Sequence, residues 1–297
     1  MKYILSCDGG GIRGAATAEL LNQIQTNLGI DVYRQFDLFA GTSTGAIIVI
    51  ALAVKKMKTK KLVELYNYRN GNTIMNKSIW DRMLGLVQAE PKYDGKGKTR
   101  ILKKYFGNSL LNDAEKPTLV VTYDVENRVS AVLKSTKPEK ITAVQAADAS
   151  SAAPMYFPTA KIGKRYLIDG GVIANNPAMC AYAEAKKLWP DEDIKLLSIG
   201  TGKRTRKIDG KESMSFGFTE WIRHDLIGVV MDESVVEYQT NVILGDAYLR
   251  INSDLNGVND DMDDVSQQNI DALRRLGMQW YDENEQKLKD FFNQHPG

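Results

Sequence analysis

The chain has 297 residues, 43% of them hydrophobic and 26% charged, enough for a sizeable core in an ordinary globular protein. A net charge of +2 argues against the strongly basic footprint of a nucleic-acid-binding domain, and two cysteines are too few for a disulfide framework. The longest apolar run, 46–54, is far short of the ~20 residues of a membrane span, and no targeting segment is visible at the N-terminus. Cys7 and Cys180 therefore read as small buried thiols in a reducing compartment, which points to a cytoplasmic protein that meets membranes only peripherally.

In chain order, the strand-like run Tyr3-Ile4-Leu5-Ser6-Cys7 turns into DGGGIRG at 8–14, and a helix is predicted from about 15 to 28. Gly9, Gly11 and Gly14 satisfy the dinucleotide fingerprint G-x-G-x-x-G, and Asp31 lies roughly where a ribose-binding carboxylate is expected. The same loop can instead hold an oxyanion on its amide groups. Next, FDLFA at 36–40 predicts a strand, followed by GTSTG at 41–45 and an apolar helix over 46–56. Runs at 118–125 and 129–135 predict a hairpin, 142–149 a helix, 165–169 a strand, 177–188 a helix and 194–200 a strand. A short strand at 247–251 precedes a long helix over 264–294. Continuous apolarity at 36–40 and 194–200 fits strands covered on both faces, hence an α/β layered fold in one domain spanning 1–297, mostly helical from about 203. Signals are weak from 68 to 105. Within that region Lys92–Arg100 is glycine- and lysine-rich and reads as a mobile surface loop, while Trp80, Met83, Leu84, Leu86 and Val87 read as core or the lining of an apolar channel, with lid-like membrane contact as the sharper alternative.

A nucleophile elbow needs small residues two before and two after the serine, and Gly41 and Gly45 meet that demand around Ser43 between a strand and a helix. The alternative is a glycine-rich strand-to-helix turn. A serine also needs a base, and the two histidines serve poorly: His224 lies inside a helical pattern and His295 near the end of the sequence. Asp169 is better placed. It ends a predicted strand, Gly170 and Gly171 follow it, and burial at such a tip raises a carboxylate's pKa. Taken alone, it is also consistent with an Asp-Gly turn.

Four blocks in order, DGGGIRG, GTSTG, ASSAAPMYFP at 149–158 and DGGVIANNP at 169–177, with SIGTG at 198–202, resemble the patatin-like phospholipase family over most of residues 1–202. The resemblance implies a three-layer α/β fold with a largely parallel central sheet and helices on both faces. It also implies a serine–aspartate dyad, Ser43 as nucleophile and Asp169 as base, with the backbone of Gly9, Gly10, Gly11 and Arg13 as oxyanion hole. Gly14, Gly41, Gly45, Gly170 and Gly171 support those motifs. The implied reaction is hydrolysis of acyl esters of phospholipids or lysophospholipids, with no metal or cofactor and only transient membrane contact. Two rivals stay open: a hydrolase silent until a small ligand or partner binds, and a non-hydrolytic nucleotide-binding module. The acidic stretch 253–265 lacks calcium-loop spacing and reads as a solvated loop. Basic clusters at 55–61 and 202–211 read as solvated surface, with anionic headgroup contact as the sharper reading.

Overall fold

The computed structural model describes residues 1–76, 90–224, 226–231 and 233–293. Eight strands form one mixed sheet: β1 (Lys2–Cys7), β2 (Leu38–Thr42), β3 (Thr118–Asp124), β4 (Val129–Lys134), β5 (Ala160–Ile162), β6 (Arg165–Asp169), β7 (Ile194–Ile199) and β8 (Tyr248–Ile251). Their order is β5-β6-β3-β2-β1-β7-β8, with β4 also paired to β3. β3, β2, β1, β7 and β8 run parallel, and β4, β5 and β6 add an antiparallel edge.

Alternate residues of the central strands feed two cores, as the period-2 geometry of a strand requires. Leu5, Phe39, Val120 and Leu197 pack on one face beneath the helices Gly14–Leu28, Thr44–Ala53 and Gln267–Phe291. Ile4, Leu38, Leu119 and Leu196 pack on the other against Ala178–Leu188. All ten residues of the Thr44–Ala53 helix are buried, which explains why its sequence carries no polar face.

Element type agrees with the sequence reading in the central strands, the hairpin and the long C-terminal helix, with shifts of a few residues at the ends. Just ahead of the Ala178–Leu188 helix, Asn176 Oδ1 accepts from the Ala178 N–H at 2.9 Å. The surface-loop expectation for Lys92–Arg100 is corrected. The N–H groups of Lys92 and Tyr93 donate to Met155 O and Tyr156 O, and Lys96–Phe106 is a helix opened by Gly95 at φ 74°. Its buried residues Lys98, Ile101, Leu102 and Phe106 recur at helical spacing, a period masked in the sequence by the lysines and glycines around it. Trp80, Met83, Leu84, Leu86, Val87 and His295 lie outside the described residues. Among the described residues no helix is long and apolar enough to cross a membrane.

The loops that matter leave the carboxyl ends of the parallel strands, the usual ligand edge of an open α/β sheet. The turn after β2 crosses directly under the end of β1. A Cβ on Gly45 would lie 2.0 Å from Cys7 O, and one on Gly41 would lie 2.4 Å from Gly45 O. Gly45→Ala is expected to destabilise the protein by about 3 kcal/mol, as overpacking does where only backbone can give way. A urea unfolding midpoint measures this.

Candidate active site

Ser43 sits where β2 turns into the Thr44–Ala53 helix, at φ 54° and ψ −120°. That conformation is strained for a residue with a Cβ and persists only when its surroundings over-determine it. Here they do. The Ser43 N–H donates to Ser150 Oγ at 2.9 Å, and the Ser150 hydroxyl donates to Val121 O at 2.7 Å. Ser43 is 7% exposed and stands at the positive end of its helix.

Asp169 ends β6 opposite Ser43 and is 1% exposed. The Gly171 N–H donates to its Oδ1 at 2.8 Å. Burial pushes the Asp169 pKa up to about 6, opposed by the Ser43 hydroxyl, the Gly171 amide and the Lys98 charge. Its Oδ2 has no other partner among the described residues, which leaves the Ser43 hydroxyl as the side-chain donor that favours the ionised form.

The glycine loop runs alongside. A Cβ on Gly9 would meet Asn175 Oδ1 at 2.2 Å and Ser43 Cβ at 3.1 Å, so only glycine lets the loop approach the serine. Gly11 has φ 61°, and a Cβ there would meet Met262 O at 2.3 Å. The amides divide into two sets. Gly9 N–H donates to Asn175 O at 3.1 Å and Arg13 N–H to Gly10 O at 3.2 Å, whereas those of Gly10 and Gly11 have no acceptor within the described residues. Of the four amides implied by the resemblance, those of Gly9 and Arg13 are thus engaged within the protein, and those of Gly10 and Gly11 are unengaged among the described residues. The Arg13 guanidinium donates to Gly10 O and Gly202 O at 3.2 and 3.1 Å, and so clamps the loop. Gly14 abuts Thr44, and Gly170 abuts Val121 O. Asp31 caps a short helix and pairs with Lys58 at 3.1 Å, which accounts for its carboxylate without a ribose.

Three features of the site had no role in the sequence reading. Lys98, 3% exposed, pairs with Asp148 at 3.1 Å, donates to Ser151 O at 2.9 Å and lies over the Phe157 ring. Ser150, inside the quoted ASSAAPMYFP block, holds the strained turn. Met262, in the acidic stretch read as solvated loop, accepts the Ile12 N–H at its carbonyl. Three of the five acids of that stretch are paired, Asp260 and Asp261 with Arg206 and Asp263 with Lys92. His224 stacks on Phe216 with ring centroids 4.4 Å apart. Ser43, Asp169 and Lys98 open onto an apolar cavity of about 90 Å³, walled by Ile12, Ile47, Leu65, Tyr66 and Phe157.

A buried serine beside a carboxylate of raised pKa, with two unengaged amides nearby and an apolar cavity, is a constellation for acyl transfer. Comparison with known proteins agrees. The family model for patatin-like phospholipases matches residues 5–182. A cGAMP-activated phospholipase of Pseudomonas aeruginosa is 29% identical over 260 residues, covering 84% of this chain and 77% of that protein. The human calcium-independent phospholipase A2-gamma is 27% identical over 310 residues, covering 96% of this chain; the chain spans 39% of that relative's length. Among solved structures, VipD from Legionella pneumophila matches with a TM-score of 0.55 at 15% identity, over 98% of this chain and 67% of that one, a likeness of fold.

The Lys98 ammonium favours the ionised form of Asp169, so its removal acts in the opposite direction. Lys98→Met is expected to raise the Asp169 pKa above about 6, read from the carboxyl carbon shift in an NMR pH titration.

Proposed function

Since the chain belongs to the patatin-like phospholipase family, we propose that it hydrolyses carboxylic esters of phospholipids or lysophospholipids through Ser43 and Asp169. The observation that carries the residue assignment is the strained Ser43 facing a buried carboxylate whose pKa lies near 6. At neutral pH Asp169 is ionised yet basic enough to take the Ser43 Oγ proton as Oγ attacks the ester carbonyl. The negative charge then moves to the carbonyl oxygen, where the Gly10 and Gly11 amides receive it. Collapse expels the glycerol-side alkoxide, which takes the proton back from Asp169. The acyl-serine left behind is cleaved by water, with Asp169 again as base, and fatty acid leaves. The acyl chain lies in the apolar cavity and the rest of the lipid stays at a transiently touched membrane surface. This chemistry uses side chains and backbone alone. We also read 1–297 as one domain, a reading supported by β8 and the Gln267–Phe291 helix packing into the same sheet and core.

Ser43→Ala and Asp169→Asn are each expected to lower ester hydrolysis by about 10⁴-fold while the circular dichroism spectrum is kept. Since the base must be ionised, kcat/KM of the wild type rises with pH through about 6. A flat profile from pH 5 to 8, or turnover retained in either variant, removes Asp169 or Ser43 from the chemistry.

A gated version of this activity has its own support. A cavity of about 90 Å³ is well below the roughly 300–1,000 Å³ of ligand pockets, so an acyl chain enters only if the flexible lining residues Met75, Met231 and Met262 move. One relative is a cGAMP-activated phospholipase. With gating, fatty-acid release from vesicles rises at least about tenfold, the equivalent of about 1.4 kcal/mol, when cyclic GMP–AMP is added. An unchanged rate leaves the ungated form.

A further inference from the structure

The basic cluster Gly202–Lys211, ambiguous in the sequence, forms one wall of a groove of about 600 Å³ beside the glycine loop. Across it stand Arg223, which ends the Phe218–Arg223 helix, and His224, which follows it. Among the described residues, six Lys or Arg side chains line the groove (Arg13, Lys203, Arg204, Arg206, Lys207 and Arg223) against three carboxylates, Glu233, Glu237 and Asp254. Glu233 is already paired with Arg250, Glu237 with Lys203 at 3.1 Å, Arg206 with Asp260 and Asp261, and Arg223 with Glu220 at 2.8 Å, so a phosphodiester competes with carboxylates for the guanidinium groups. Lys207 is exposed and has no acidic partner within the described residues. Like the serine, the groove lies beyond the carboxyl ends of parallel strands, with Gly202 following β7 and Asp254 following β8.

Its position relative to the acyl cavity matters as much as its charge. Met231 and Met262 line both, so two flexible side chains separate an apolar slot containing Ser43 from a cationic groove. A glycerophospholipid has this same division, with an acyl chain on one side of the scissile ester and a phosphodiester a few bonds away on the other.

We propose that the groove is a phosphodiester site. Guanidinium groups bind phosphate oxygens in pairs, and ammonium groups add point charge. Two sources supply that chemistry, the headgroup of an acidic phospholipid or a soluble dinucleotide. In the first case the groove selects phosphatidylglycerol over phosphatidylcholine, whose own ammonium the groove's cations repel. The proposal rests on the acyl-hydrolase reading, and its test separates the two.

The wild type, Ser43→Ala and the double variant Lys207→Ala/Arg223→Ala are compared on phosphatidylglycerol vesicles, phosphatidylcholine vesicles and p-nitrophenyl butyrate, an ester with no phosphate. Both groove residues are exposed, and the nitrophenyl ester reports whether the double variant stays folded and active. The expected result is that the double variant loses about tenfold in rate on phosphatidylglycerol and keeps its rates on the other two. In the soluble case, the preference between vesicles is unchanged by the double substitution. A cyclic dinucleotide then raises the unfolding temperature of the wild type and not of the double variant. A double variant that matches the wild type in headgroup preference and in dinucleotide response overturns the site. Nitrophenyl ester turnover surviving in Ser43→Ala defeats the nucleophile assignment instead, whatever the groove does.

Discussion

The arrangement depends on how closely three backbones can pass. The end of β1, the turn after β2 and the first turn of the Thr44–Ala53 helix meet with no room for a side chain at 41 or 45. The absent Cβ atoms let the turn tighten until Ser43 adopts a positive φ, and Ser150 then fixes its amide to β3 through Val121. Gly9 extends the same close packing to the loop after β1, and so brings amide groups up to the serine. Strain here is a property of the junction between elements, held in place by the buried sheet beneath it.

Two buried charged clusters flank this junction and act differently. Asp169 shares its surroundings with Lys98 and Asp148, where burial raises the carboxylate and the lysine partly offsets it. Asp8, the first residue of the glycine loop, is fully buried and bonds Arg250 of β8 at 2.5 Å, while Arg250 also binds Glu233 and, at 2.8 Å, Ser198. A lone charge at either place would be costly, so each group depends on its partners being in register. The first cluster tunes a proton acceptor. The second ties the edge strand of the sheet to the start of the loop that supplies the amides.

Much of this was legible in the chain. Strands buried on both faces show as unbroken apolar runs, and the sterically demanding turns show as glycines at fixed spacing, so the central sheet, the elbow at Ser43 and the strand end at Asp169 could all be read. The small glycine-poor helix Thr59–Leu65, the three-residue strand β5 and the helix carrying Lys98 could not, because their apolar positions are few and interrupted by charge. Lys98 illustrates the limit. A lysine in a glycine-rich stretch has the signature of a solvated loop, and only the neighbouring end of the Ala143–Ser150 helix, with Asp148 and the Ser151 carbonyl, gives it a reason to be buried. The occupied amides of Gly9 and Arg13 are likewise a matter of tertiary contacts, with acceptors that no local pattern identifies.

The support of the glycine loop comes partly from the last motif block, where Thr201 donates to Gly9 O and Gly202 O accepts from Arg13, and partly from beyond the motifs, where Met262 O takes the Ile12 amide and Arg250 holds Asp8. The part of the chain after 203, where resemblance is weakest, is therefore built into the architecture around the nucleophile. Divergence there acts as a tuning screw on loop geometry, able to alter how the loop is presented while the serine and aspartate stay the same. Related chains with identical motifs and different tails would thus differ in rate for a reason that comparison of the motifs alone cannot reveal.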